Sequence, residues 1–301
     1  MSASTPTTAS SRFALSPLSL ALLGLLTALY APLLWRWVDG WLNKSISIQH
    51  EYFSHGLIGL PFAVYIAWGY RPQWQQLGDR WHPAGVGLLA LGGALYLSQL
   101  PDWMSISLPL VLAGMCLSLK GVPGLKLMGL PLALLVFATP SQLPYLIEPY
   151  VLPLQHFIAS VAGFLLLQGG IDVTVEQIYL RVNDQMVEVA PHCAGLKMLF
   201  TSLYVALMLI YWHGLWRSRL RTGTFITATV MVSVAGNILR NAMLSYFHGV
   251  GNDRAFVWLH ESWGGDLYSA AMLVSLIILL RLIQQYVPES LTLAANTETT
   301  V

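Results

Sequence analysis

The sequence is poor in charged residues, with 15 Lys or Arg and 14 Asp or Glu among 301 positions. A soluble domain carries roughly 25% charged residues, whereas this chain is 10% charged and 55% hydrophobic. Its net charge of +1 provides no face for binding a polyanion. These values exclude a soluble globular protein, a disordered chain and a nucleic-acid binder, and they leave a polytopic helical membrane protein.

Cysteine is scarce as well, since the chain contains only Cys116 and Cys193. Two cysteines form no disulfide framework, and without a Cys-x-x-Cys pair a zinc ribbon and a thioredoxin-type motif are excluded. No His-Glu-x-x-His is present, because Gly264 stands where the second histidine would follow His260. A metal site would have to combine five scattered residues, Glu51, His55, His192, Cys193 and His260. We therefore expect neither a metal nor a cofactor.

Apolar segments recur along the chain at close to the ~17–25 residues that cross ~30 Å of hydrocarbon. Nine segments qualify: 16–38, 54–70, 84–100, 104–119, 122–139, 150–169, 194–213, 222–245 and 262–286. The first has only a short preceding region and further spans behind it, which favours a retained helix over a signal peptide. We expect a flexible tail over 1–16, a multi-pass membrane domain over 17–286 and a polar tail over 287–301.

The pattern changes between Gly170 and Pro191. Apolar and β-branched residues alternate over 171–175 and again over 186–189, and Asn183-Asp184 is typical of a turn. This predicts a short β-hairpin over 171–190, too polar to lie in lipid.

The distribution of Lys and Arg predicts the orientation, because these residues concentrate on the cytoplasmic side. Nine would lie inside: Arg12, Arg71, Arg80, Lys120, Lys126, Arg217, Arg219, Arg221 and Arg281. Three would lie outside: Lys44, Arg181 and Arg254. Both termini are then cytoplasmic, which requires an even number of crossings.

Nine candidates do not give an even number, so one segment must not span. Segment 150–169 begins with prolines and contains Gln155 and His156, so we expect it to be interfacial or re-entrant, leaving about eight transmembrane helices. The alternative is that it spans and that the division of 104–139 into two helices is wrong.

This topology places three reactive residues, Cys193, Arg240 and His260, near the outer interface, where ionisable groups are costly and therefore suspected of function. Cys193 opens a predicted helix whose dipole would stabilise a thiolate, with Lys197 one turn further on the same face. A buried cysteine acting as a small hydrophobe is equally compatible with the residue chemistry. Cys116 lacks such surroundings and is predicted to be structural.

Arg240 follows Asn237 by three residues, so both side chains share a helix face. Its guanidinium could stabilise a thiolate or an oxyanion, or it could extend to the headgroups. His260 could act as general base and then acid, or cap the last helix within an aromatic belt. Ser54 and His55, also predicted outside, could bind substrate or support the site.

Taken together, these residues resemble the exosortase/archaeosortase family. The sequence His-Cys-Ala-Gly-Leu-Lys over 192–197 is similar to that of its cyanobacterial branch, the cyanoexosortases. The resemblance covers roughly residues 50–285. Its motifs are Ser54-His55-Gly56, Pro153-Leu154-Gln155, the strand from Val187 leading into Cys193-Ala194-Gly195-Leu196, Asn237 with Arg240, and His260 with Gly264.

The resemblance implies a cysteine protease or transpeptidase of the plasma (inner) membrane that cleaves C-terminal, PEP-CTERM-like sorting signals of exported proteins through a thioester. It implies Cys193 as nucleophile, Arg240 as thiolate or oxyanion stabiliser and His260 as base and acid, with Ser54, His55, Lys197 and Asn237 in support. The implied partners are membrane-anchored proteins bearing such a signal.

Two other classes remain open. A transporter or channel would place polar residues near the midplane and show internal repeats, which we do not find between the two halves. A non-catalytic membrane assembly protein would make the shared depth of Cys193, Arg240 and His260 a coincidence. Accessibility of Cys193 to an impermeant thiol reagent would separate an enzyme of this topology from both.

Overall fold

The computed structural model describes residues 17–43, 48–189, 195–260 and 262–289. It is 80% helical. The first seven helices are α1 (Pro17–Leu42), α2 (Ile48–Phe53), α3 (Gly56–Gly69), α4 (Arg71–Gln76), α5 (Pro83–Leu97), α6 (Pro101–Leu127) and α7 (Gly129–Ala138). The other six are α8 (Leu143–Ile147), α9 (Leu152–Gln168), α10 (Leu196–Trp212), α11 (Arg219–Gly249), α12 (Asp253–His260) and α13 (Trp263–Tyr286). Short 3₁₀ turns cover Glu148–Tyr150 and Leu215–Arg217.

Within the described residues, α6, α11 and α13 are long and apolar enough to cross a membrane, and α3, α5, α7, α9 and α10 are shorter apolar helices. A polytopic helical membrane protein is therefore the observed class. The predicted division of 104–139 falls at Gly121, whose backbone (φ 64°, ψ −156°) interrupts the helical geometry inside α6. The backbone oxygen of Arg80 lies against this glycine, where a Cβ atom would come within 3.0 Å of it.

The sheet corrects one prediction, because it has three strands where we expected a two-stranded hairpin. Strands β1 (Val173–Glu176), β2 (Tyr179–Val182) and β3 (Gln185–Glu188) form an antiparallel meander. The predicted turn between β2 and β3 is confirmed, since Asn183 and Asp184 both adopt positive φ, 46° and 64°, as a tight hairpin turn of this kind requires. The additional turn, between β1 and β2, passes through Gln177 with φ 57°.

Small residues and a few polar contacts bring the helices together. α5 packs closely on α6 because Gly85 and Gly92 leave no side chain between the two backbones. The Trp37 indole of α1 donates a hydrogen bond to Ser105 Oγ of α6 at 3.0 Å. Such a bond satisfies a buried polar group that would otherwise be costly in an apolar bundle.

The basic loops lie at one end of the helix bundle. The ring of Tyr70, which follows α3, lies 6.1 Å from that of Tyr211 in α10, so the loops after these two helices are neighbours. Lys120 forms an ion pair with Asp79 at 2.7 Å, which joins the bend of α6 to the loop before α5. Arg221 Nε donates to the backbone oxygen of Val287 at 3.0 Å, which joins the start of α11 to the end of α13.

Helix α9 lies beside the sheet and the last turns of α11, at the opposite end. Its Gly163 meets the side chains of Val175 and Leu180. Its buried face belongs to the same apolar cluster as Ile238 and Ala242 of α11. The sheet itself meets the end of α11, because Gly249 lies against Val182 of β2.

Candidate active site

The segment that contains His192 and Cys193 lies outside the described residues, which stop at Val189 and resume at Gly195. The predicted relation of Cys193 to Lys197 at i+4 is therefore untested. Lys197 is the second residue of α10 and is half-buried. Both flanks of this segment are described, and each is held by a buried amide from another helix.

The upstream flank is Val189, which is fully buried. Its backbone N–H donates to the oxygen of Ile178 at 2.8 Å. Its backbone oxygen accepts a hydrogen bond from Gln155 Nε2 of α9 at 2.8 Å. The chain leaving the sheet is thus fixed from both sides, because its donor and its acceptor each have a partner.

The downstream flank is Gly195, the N-cap of α10, whose backbone lies in the left-handed region with φ 84°. A Cβ atom at this position would lie 2.7 Å from Cγ of Asn237, so only glycine permits this approach. The Asn237 side chain, 1% exposed, therefore packs directly against the backbone two residues after Cys193. The backbone oxygen of Asn237 accepts a hydrogen bond from Asn241 Nδ2 at 2.9 Å.

Arg240 lies one turn beyond Asn237 on α11 and is half-buried. It interacts electrostatically with Tyr268 of α13. The Tyr268 hydroxyl donates to the backbone oxygen of Gly236 at 2.5 Å. The start of α10, the middle of α11 and the second turn of α13 therefore meet at one level, and Arg240 lies one turn further along α11.

His260 is the last residue of α12, which removes the alternative that it caps the final helix. The N-cap of α13 is Ser262 instead. The ring of His260 stacks on Phe256, with centroids 5.4 Å apart and planes at 11°. The centroid of the Phe256 ring also lies 5.2 Å from that of His248. The predicted aromatic surroundings are present, since Trp258 packs edge-on against Trp263.

His55 is buried, with 7% of its surface exposed. Its Nε2 lies 3.1 Å from the backbone oxygen of Phe137, and its ring lies 4.5 Å from that of Tyr204. Tyr204 in turn donates to the oxygen of Leu134 at 2.9 Å. His55 thus joins α3, α7 and α10 within the core, whereas the adjacent Ser54 is half-buried.

Sequence reasoning missed the roles of Gln155, Tyr204 and Tyr268 in this region. Gln155 lies within the Pro153-Leu154-Gln155 motif, but its partner is 34 residues away and only the fold shows it. The available signal is a polar side chain within an apolar helix, which at membrane depth requires a partner. Cys116 is buried in α6, as predicted for a structural cysteine.

Among the described residues, no group of three or more His, Cys, Asp or Glu side chains is placed to hold a metal ion. Of the five residues considered for such a site, His192 and Cys193 lie outside the described part.

A family model described as Transmembrane exosortase (Exosortase_EpsH) matches residues 37–277. This chain belongs to the transmembrane exosortase family. The resemblance predicted from the sequence motifs is confirmed, and the matched range includes Cys193, Arg240 and His260. Exosortases form a family of cysteine peptidases and transpeptidases. Searches of the curated proteins and of the solved structures find no match to this chain.

Proposed function

We propose that the protein is a membrane-embedded cysteine transpeptidase or protease that cleaves C-terminal sorting signals of exported proteins. The observation that supports this most directly is that the chain is held by a buried side-chain amide on each side of the Cys193 segment. Gln155 holds Val189 upstream, and Asn237 packs on Gly195 downstream. A nucleophile must be held in position to react efficiently, and two buried amides from different helices supply such support.

The proposed reaction begins when the Cys193 thiolate attacks the carbonyl carbon of the scissile peptide bond. The carbonyl oxygen becomes an oxyanion, which the planar guanidinium of Arg240 stabilises. The carbon–nitrogen bond then breaks as His260 gives a proton to the leaving amine, and Cys193 retains the acyl group as a thioester. Water or an acceptor amine attacks the thioester, loses a proton to His260 and releases the thiolate.

In this proposal Arg240 belongs to the site because it lies close, along α11, to the residue that contacts Gly195. It lies one turn from Asn237, which touches the backbone next to the Cys193 segment. It also lies within electrostatic range of Tyr268, in the first half of α13. A cation at this level favours both a thiolate and an oxyanion.

We propose that both termini and the basic loops are cytoplasmic and that the site faces outward. The contacts of Tyr70 with Tyr211 and of Lys120 with Asp79 support this orientation, since they gather the basic loops at one end. The sheet and the flanks of the Cys193 segment lie at the other end. Positive charge in short loops is retained in the cytoplasm.

We also propose that α9 lies at the outer interface and does not cross the bilayer. Gln155 and Gly163, eight residues apart on α9, both contact the sheet or the residue that follows it. A helix that crossed the bilayer would keep only one end near the sheet. With α9 at the interface, the remaining predicted segments give eight crossings.

The experiment that tests the proposed function is co-expression with an exported protein that carries a candidate sorting signal and a C-terminal tag. We expect the tagged C-terminal fragment with the wild-type protein and only the uncleaved substrate with Cys193→Ala. Equal cleavage by Cys193→Ala, at equal enzyme level on a blot, would reject the proposal.

A further inference from the structure

An apolar groove lies between α3 and the second half of α10, which leads to the basic end. Its volume is about 430 Å³, within the range of roughly 300–1,000 Å³ that holds small ligands. Its lining consists of apolar and aromatic side chains: Ile58, Pro61, Phe62, Tyr65, Val205, Met208, Leu209 and Trp212. The groove is separate from the candidate active site and uses none of its residues.

Stacked rings form one wall of this groove. Trp212 lies almost parallel to Phe62, with centroids 5.6 Å apart and planes at 13°, and to Tyr65, at 6.0 Å and 18°. Yet Trp212 and Tyr65 remain 64% and 62% exposed. Flat aromatic faces left open in this way indicate contact with an apolar partner and not with water.

Each helix of the groove is followed by an arginine placed over a tryptophan. The guanidinium of Arg71 lies 5.0 Å from the ring of Trp68, and that of Arg217 lies 5.5 Å from the ring of Trp216. The ring contact between Tyr70 and Tyr211 brings these two helix ends together. A Trp–Arg pair is typical of the headgroup level, where the ring sits in the interface and the planar cation meets phosphate.

We propose that this groove is a binding site for one anionic phospholipid. An acyl chain lies along the exposed rings of Tyr65 and Trp212, and the phosphate lies between Arg71 and Arg217. Basic pockets between transmembrane helices bind anionic headgroups in this way. The positive charges of Arg71 and Arg217 favour an anionic lipid as the occupant. A partner helix with basic flanking residues would be repelled by these two arginines.

The test measures lipid affinity of the purified full-length protein after delipidation in detergent. Phosphatidylglycerol is compared with phosphatidylcholine of the same acyl chains. We expect phosphatidylglycerol to bind more tightly and the variant Arg71→Gln/Arg217→Gln to lose this preference. Each arginine near an anionic headgroup is worth about fivefold in affinity, so the pair should account for roughly 25-fold.

A matched control removes two other charges from the same end, Arg80→Gln/Lys126→Gln, and should retain the preference. A second variant, Val205→Trp, fills the groove while keeping both arginines, and it should weaken binding of both lipids. Equal affinity of the wild-type protein for the two lipids would overturn the proposal. So would equal loss in the control, full binding by Val205→Trp, or equally tight binding of glycerol phosphate, which has no acyl chain. A polypeptide helix found cross-linked in the groove would overturn it as well.

Discussion

The side-chain amide of Gln155 donates a hydrogen bond to the backbone oxygen of Val189 at 2.8 Å. Both residues are buried, with 3% and 0% of their surfaces exposed. The bond joins α9 to the end of the sheet, four residues before Cys193. A buried carbonyl that loses its donor costs about 1–3 kcal/mol, so this bond restricts where the chain can lie as it approaches Cys193.

Replacing Gln155 with methionine keeps the length of the side chain but removes the donor. We expect processing to fall by about ten- to a hundredfold, because small displacements of a reacting group have effects of this size. The measurement is cleaved substrate per unit of membrane enzyme. Gln168→Met, an exposed position at the other end of the same helix, is the matched control. Equal effects of the two substitutions would contradict a role for Gln155 in holding the segment.

Gly195→Ala should also impair processing, since it adds a Cβ atom 2.7 Å from Cγ of Asn237. The left-handed backbone alone costs a non-glycine residue roughly 1–2 kcal/mol. Gly251→Ala separates the two effects, because Gly251 has φ 70° and nothing within 4 Å of the added atom. We expect Gly195→Ala to reduce processing at least about tenfold more than Gly251→Ala, equivalent to ~1.4 kcal/mol. Comparable losses would show that backbone strain, and not the contact with Asn237, matters.

Arg240→Lys distinguishes an arginine that stabilises an oxyanion from one that extends to the headgroups. A lysine ammonium retains the charge but cannot reproduce the planar fork. We expect processing to fall about 10²–10³-fold, the usual effect of losing one oxyanion donor, with the protein level unchanged on a blot. Arg254→Lys, in an exposed position near the start of α12, should be neutral. Wild-type processing by Arg240→Lys would remove Arg240 from the mechanism.

Reporter fusions test the orientation on which the outward-facing site depends. We expect a fusion at Arg219 and a fusion at the C-terminus to be active only with a cytoplasmic reporter. The physical reason is the concentration of Lys and Arg in the loops at this end. Activity of a periplasmic reporter at both positions would reverse the orientation.

The sequence predicted those features that depend on local chemistry. The turn at Asn183-Asp184 was predictable because these residues tolerate positive φ, and the break at Gly121 fell where two apolar segments met. Strand β2 was missed because the turn before it uses Gln177, which is not a turn-forming residue type. The end of α12 at His260 was missed for a different reason, since an eight-residue helix gives little periodicity.

Long-range contacts were beyond prediction from local patterns. That Asn237 shares a face with Arg240 follows from their spacing, but its contact with Gly195 requires α10 and α11 to pack at one particular level. The burial of His55 against Tyr204 also depends on three helices meeting. For the same reason, the partner of Gln155 emerged only from the fold.

The proposed reaction requires that Cys193 forms a thioester with the substrate. The most direct measurement is isolation of an enzyme–substrate adduct that neutral hydroxylamine releases, compared between Cys193→Ser and Cys116→Ser. A serine hydroxyl ionises far less readily than a thiol, and Cys116 is buried inside α6. We expect the hydroxylamine-labile adduct and processed substrate with Cys116→Ser, and neither with Cys193→Ser. A labile adduct that persists in Cys193→Ser and disappears in Cys116→Ser would contradict it.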